Sequence, residues 1–153
     1  TIATDASAGK NITVTGNIVY NTRPDKTKPD TDPVNVKAGT LGLVAGNIKI
    51  ADDGTSAHNH PNREIDAVCM AGSQTVAGSF GVNYYNYGSV GTLKVIGGLI
   101  QSNRGPVGTF SGTSITHGYS KDYSYDTRLA QNPPPFYPTT GQYDRLSWRT
   151  LPN

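Results

Sequence analysis

The sequence predicts an all-β chain: a right-handed parallel β-solenoid (β-helix) with an irregular, aromatic- and Pro-rich C-terminal cap. Three observations carry this expectation. Helical periodicity is nearly absent, because Gly or Pro interrupts most candidate windows. Gly (18) and Pro (10) are abundant while charged residues make up only 16%, a composition of turns rather than of charge-driven disorder. Short Val/Ile/Leu segments also recur around a glycine. At 153 residues the chain is long enough for one domain with a core and too short for two. Right-handedness is the general expectation for parallel β-helices and is not read from particular residues.

Three segments read as strands: Asn11 to Tyr20, Thr40 to Ile50 and Thr92 to Gln101. Each alternates apolar residues about a glycine. Aligned there, they give Val14-Thr15-Gly16-Asn17-Ile18, Val44-Ala45-Gly46-Asn47-Ile48 and Val95-Ile96-Gly97-Gly98-Leu99, with a fainter copy in Cys69-Met70-Ala71-Gly72-Ser73. The glycines are 30, 26 and 25 positions apart (16 to 46, 46 to 72, 72 to 97), about the size of one solenoid coil. Stacked coils would line a shared interior with Val14, Val44 and Val95. Glycine suits a corner where a β-carbon would clash or φ turns positive. Asn17 and Asn47 are expected to stack as a side-chain ladder.

The intervals between these strands are predicted loops. Thr22 to Pro33 mixes three prolines with charges and reads as an exposed excursion. Ala51 to Arg63 turns at Asp52-Asp53-Gly54. Phe80 to Gly88 alternates weakly and reads as a strand with a tyrosine-rich face. Residues 1–110 are therefore assigned to the coils and 111–153 to a capping segment of the same domain. A solenoid end exposes core and strand edges, and a Pro/aromatic tail would lid it. Arg104, Asp126, Arg128 and Trp148 are the residues expected to fix that cap, through bidentate Arg–carboxylate contacts.

The tail also carries a resemblance. Arg104-Gly105-Pro106-Val107-Gly108, Gly118-Tyr119, Tyr125-Asp126-Thr127-Arg128-Leu129 and Pro133-Pro134-Pro135-Phe136 together resemble an uncharacterised bacterial β-solenoid domain. That domain is found C-terminal to type IV pilin-like or pilus-assembly (PilX-like) N-terminal segments. The resemblance covers roughly residues 40–150, and Leu43-Val44-Ala45 and Gly78-Ser79-Phe80 also fit it. It implies a module displayed at the surface or in the periplasm of a bacterium, with other pilin or envelope proteins as partners. It supplies no catalytic residues.

Few residue patterns point to chemistry. Net charge is +2 with no basic cluster, unlike a surface built to displace many phosphate counterions. No apolar run reaches the length of a membrane span. The chain begins at Thr1 without an initiator Met and is read as a piece of a longer protein whose targeting information lies upstream. Cys69, the single cysteine, sits in an apolar run and reads as a small buried hydrophobe. His58 and His60 form a His-x-His pair that would bind zinc only with a third ligand such as His117 or Asp66. Asp25, Asp30, Asp32, Asp52 and Asp53 match no calcium loop, and no cofactor is predicted. Asp122 and Asp126 with Arg104 or Arg128 would be the acid–base set of a carbohydrate-active lyase or hydrolase; pairing within the cap is the competing account.

Tyr84, Tyr85 and Tyr87, with Tyr119, Tyr123 and Tyr125, would offer a stacking platform for sugars or bases. Tyr84, Tyr85, Tyr87, Lys121 and Arg128 are the ligand-binding candidates. The expectation is a non-enzymatic envelope module acting in adhesion, assembly or ligand capture. A carbohydrate-active enzyme and a DNA-binding minor pilin for DNA uptake are the alternatives, so polysaccharide and DNA stand as candidate ligands.

Overall fold

The computed structural model describes residues 1–25, 27–130 and 132–138. Among the described residues nine strands form in chain order: β1 (Ile2–Ala3), β2 (Asn11–Val14), β3 (Gly42–Ala45), β4 (Asn47–Ile50), β5 (Arg63–Ala71), β6 (Phe80–Val82), β7 (Val90–Gln101), β8 (Gly108–Ser111) and β9 (Ser114–Tyr125). One helix, α1 (Pro33–Lys37), follows β2, and one turn of 3₁₀ helix (Thr127–Ala130) follows β9. A six-stranded sheet has the order β1-β3-β5-β7-β9-β8, and a three-stranded sheet the order β2-β4-β6. All pairings are parallel except β8 with β9, which is antiparallel.

Parallel neighbours need a long crossover. Here the chain leaves the large sheet, crosses the small one and returns, placing β2, β4 and β6 in the crossovers. After β7 the chain still passes beside β6, where the Val82 N–H donates to the Pro106 carbonyl at 3.0 Å, but it forms no strand there and joins the large sheet as β8.

This arrangement corrects the fold expected from sequence. Instead of a uniform all-β column, the described residues form two mostly parallel sheets with a short helix, an α/β-like arrangement that closes into no barrel among those residues. Strands range from 2 to 12 residues. The Pro-rich excursion ends in α1, where Asp32 caps the helix by accepting from the Val34 N–H at 2.9 Å and Pro33 takes the first turn.

The glycine alignment is corrected as well. Ala45 pairs with Ala71, which keeps Gly46 and Gly72 in step, but Gly97 pairs with Ala67. Asn11, not Asn17, lies opposite Asn47. Strand pattern specifies faces, whereas register depends on which side chains meet across the sheet. Gly97 still obeys the steric argument: its φ is +153° and a β-carbon there would sit 2.0 Å from the Ala67 carbonyl oxygen. Gly16 faces open space.

The core lies between the sheets. Leu43, Ala45, Ile48, Ile50, Ile65, Ala67, Cys69, Leu93 and Val95 are all at most 2% exposed, and Val14 and Tyr119 join them. Each of the Leu, Ile and Val side chains contributes about 1.5–3 kcal/mol on burial. Val44, grouped with Val14 and Val95 by the glycine pattern, points to the outer face in register with Met70, outside this cluster.

Polar side chains link successive strands along one bend. Asn47 Nδ2 donates to Asn11 Oδ1 at 2.9 Å, the Ser79 N–H donates to Asn47 Oδ1 at 3.0 Å, and the Phe80 N–H donates to Gln101 Oε1 at 2.9 Å. The ladder thus runs through Asn11 and Asn47, while Asn17 accepts from the Glu64 N–H. Apolar outer-face residues gain cover from the tail. The Tyr137 ring lies against Gly42, Pro133, Pro134 and Tyr137 face Val68, Gly98 and Ile100 across a recess, and Thr1 donates to the Pro135 carbonyl. Residues 133–137, expected over the end of the strands, therefore lie along the side of the large sheet, and the rest of the expected cap, from residue 139, lies outside the described residues. The expected 110/111 boundary falls inside β8.

Candidate functional site

β9 is where exposed chemistry gathers. Its first half is covered by β8, from Ser111 opposite Ser114 to Gly108 opposite Gly118. The Tyr119 N–H still donates to the Val107 carbonyl at 2.8 Å; from Ser120 onward, among the described residues, β9 pairs with β7 only, up to Gly97 opposite Tyr125. Strand alternation puts Tyr119, Lys121 and Tyr123 on the face that looks across the core and Ser120, Asp122 and Ser124 on the other. Tyr119 is fully buried. Tyr123 is 40% exposed and Tyr125 62%.

Three recesses run together beside this half-strand because they share Leu99 and successive tyrosines. One of about 230 Å³ includes Leu99, Arg104, Lys121 and Tyr123 in its walls. The next, about 210 Å³, lies between Val95, Leu99, Tyr123 and Tyr125. The third, about 300 Å³ and mostly apolar, is bounded by Leu99, Ile100, Tyr125, Leu129, Pro133, Pro134 and Tyr137. The result is a solvent-open groove with two cations at one end, two tyrosines along it and prolines at the other end.

Arg104 and Lys121 are both exposed, and neither has an acidic partner among the described residues. Partial desolvation and then the Arg104 charge hold the Lys121 ammonium below its ordinary range. Surrounding protein pushes the Tyr123 phenol up to about 12, with Arg104 pulling the other way. Charges on the outer face behave differently. Glu64 takes Arg23 at 2.8 Å and Lys94 at 2.9 Å, and buried Asp66 accepts the Tyr20 N–H at 2.9 Å with Arg23 3.7 Å away.

Asp126 and Arg128 form a closed latch. Arg128 Nε donates to Asp126 Oδ1 at 2.9 Å and Nη2 to Oδ2 at 2.6 Å. Nη1 donates to the carbonyls of Asn35 (3.3 Å) and Ala38 (2.9 Å), and the guanidinium lies 5.5 Å from the Tyr20 ring centre. Arg128 is only 4% exposed and Asp126 5%. The latch therefore ties the 3₁₀ turn to the end of α1, and Arg128, a ligand-binding candidate by sequence, has its donors committed internally. Arg104, grouped with this pair by sequence, sits beside Lys121 instead. Trp148 lies outside the described residues. A wider depression of about 460 Å³ adjoins the latch, but its Asn35 side chain is fully engaged with the backbone of residues 25–29.

Tyr84, Tyr85 and Tyr87 belong to another region. Tyr84 stacks on His58 with ring centres 3.7 Å apart, and Tyr87 meets both rings edge-on. His58 Nδ1 is bonded to Asp52 Oδ2 at 2.5 Å. Tyr85 packs against the core, and its carbonyl lies against Gly118. Tyr123 is five residues further along β9, about 16 Å on a strand rising ~3.3 Å per residue. The tyrosine platform expected from sequence is thus two clusters.

The remaining candidates are dispersed. His60 is buried with its ring nitrogens facing the Ser89 and Asn83 carbonyls, and His117 Nδ1 faces the Gly88 carbonyl. Among the described residues, no three His, Cys, Asp or Glu side chains gather as a metal site. Burial pushes the Cys69 thiol up to about 12, which removes nucleophilic character. Asp122 lies opposite Lys94 on the outer face, and Lys94 is engaged by Glu64. Asp126 and Arg128 both border a depression of about 280 Å³ with Asp25, Lys28 and Asp30, but there the carboxylate and guanidinium are bonded to each other. Sequence reasoning missed Leu99, Pro133, Pro134 and Tyr137 as groove walls. The Pro run hinted at a rigid surface but not at what it would lie against.

No helix among the described residues is long and apolar enough to cross a membrane. A scan of protein-family models and searches of curated proteins and of solved structures found no match to this chain.

Proposed function

We propose that this chain is a non-enzymatic binding module that captures an extended ligand in the groove along the second half of β9. In keeping with the pilin-associated resemblance of its tail, we place it at a bacterial cell envelope, where it serves adhesion or capture. The observation that carries the binding reading is the groove itself. Tyr123 and Tyr125 are large, exposed and held on a well-paired strand, beside two cations that the described residues leave unneutralised. Exposed aromatic and cationic groups on a rigid element are what a binding surface needs. Among the described residues, the carboxylate and guanidinium of Asp126 and Arg128, which border a depression, are spent on each other, which favours capture over turnover.

The test is native affinity electrophoresis of the chain in gels containing acidic polysaccharides, neutral polysaccharides or single-stranded DNA, beside Tyr123→Ala. Retardation by at least one polymer, lost in Tyr123→Ala, is the expected result. No retardation by any polymer, or retardation unchanged in the variant, overturns the proposal.

A further inference from the structure

The groove's chemistry selects among ligands. We propose that it takes an acidic polysaccharide whose pyranose rings carry carboxylates, with one carboxylate held by Arg104 and Lys121 and the adjoining rings laid over Tyr123 and Tyr125. This rests on the capture reading above and adds the ligand class to it.

Charge complementarity comes first. Two cations at one end of the groove, with no acid against them among the described residues, call for an anion. A carboxylate accepts from a guanidinium fork and an ammonium together, in short charge-assisted bonds. Restoring an anion beside Lys121 also relieves the mutual repulsion of the two cations. Ring faces come second. A tyrosine exposed on one face gives the C–H surface of a pyranose an apolar, polarisable platform, and two of them in sequence suit two rings. Shape comes third: the recesses lie end to end and stay open to solvent, which suits a linear polymer rather than an enclosed small molecule.

A nucleic acid is the less favoured occupant. The cations stand at one end of the groove rather than along it, Asp122 is exposed on the same strand, and net charge is only +2. A phosphate backbone needs cations spaced along its path.

The experiment is isothermal titration of the whole chain with polygalacturonate oligomers. Parallel arms use their fully methyl-esterified form, dextran sulfate and single-stranded DNA, each also against Arg104→Gln, Lys121→Gln and Tyr123→Ala. Thermal melts of each variant check that it remains folded. The expected result is binding of polygalacturonate at least tenfold tighter than of its methyl ester. Each cation variant should lose roughly tenfold, as for a hydrogen bond to a charged group, and affinity should fall with added salt. Equal binding of the methyl ester, with Tyr123→Ala still disruptive, overturns the carboxylate assignment and leaves the capture reading standing. Tighter binding of DNA or dextran sulfate through the same residues also overturns it. Binding of no polymer sinks both.

Discussion

Arg128 and Arg104 are both arginines at the C-terminal side of the large sheet, and they use their donors in opposite ways. Arg128 is 4% exposed and commits its donors to Asp126 and two carbonyls. Arg104 is exposed beside another cation, with no acidic partner among the described residues. The tyrosines divide similarly. Tyr84 and Tyr87 complete an aromatic cluster with His58, which Asp52 anchors, whereas Tyr123 and Tyr125 face the groove. Residue type does not separate function from structure in this chain; what separates them is whether a side chain's interactions close within the fold.

If that contrast is right, stability and binding should respond to different substitutions. The largest stability loss should come from Arg128→Ala, which strands the buried Asp126 carboxylate. The expected cost is about 3–5 kcal/mol, a melting midpoint lower by roughly 10 °C. Pairing Arg128→Met with Asp126→Leu should recover much of it, and denaturant titration of the three proteins measures both. A fully stable Arg128→Ala would break the comparison from the closed side.

Tyr84→Ala should cost about 1 kcal/mol by removing the stack on His58. It should leave polymer retardation untouched, the reverse of the pattern expected for Tyr123→Ala.

A pH series sharpens the outer face. Burial raises the Asp66 carboxyl above its ordinary 3.8. The folded state therefore holds that proton to higher pH than the unfolded state does, and Asp66 loses favourable contribution as pH rises through the raised value. Relative to Asp66→Asn, the native chain should be progressively less stable from about pH 4 upward, as read from melts across pH 3–7. Glu64 moves the opposite way: Lys94 and Arg23 outweigh its desolvation and hold it low, so its contribution falls away as pH drops through that lowered value.

The smallest effect is expected for Lys121→Gln. Removing a cation that no acid among the described residues balances should change stability by no more than about 0.5 kcal/mol, with any change toward greater stability, because the repulsion from Arg104 disappears.

Three strand-bearing segments (residues 11–20, 40–50 and 92–101) were legible from sequence, because Val/Ile/Leu alternation reports a half-buried face directly. Ser114–Tyr125, by contrast, read as part of an irregular cap, forms the 12-residue strand β9. Thr92–Gln101 falls within the single strand β7. What alternation does not report is which sheet a strand joins. Thr40–Ile50 reads as one run but breaks at Gly46, where a β-carbon would come within 2.6 Å of Gly9, and its halves enter different sheets. Phe80–Gly88 reads as a strand, yet only Phe80–Val82 pairs. Tyr84 turns to a φ of 52°, and this turn sets its ring on His58. The Asp32-Pro33 pair is a helix-start signature hidden in a run of prolines and charges that reads as loop.

The site was legible in part. Lys121 and the tyrosines drew attention by type, and Asp126 with Arg128 by proximity in sequence. That Arg104 meets Lys121 rather than Asp126 depends on residues 102–107 crossing over β6, where the Val82 N–H donates to the Pro106 carbonyl at 3.0 Å. Such a long-range contact leaves no mark on either local sequence.

The most direct test of the capture groove is a chemical-shift map of the ¹⁵N-labelled chain titrated with polygalacturonate hexamer. Perturbations should concentrate at Leu99, Arg104, Lys121, Tyr123 and Tyr125 and leave Tyr84, Tyr87 and Arg128 in place. Perturbations centred on the His58–Tyr84–Tyr87 cluster, or none at saturating oligomer, would contradict it.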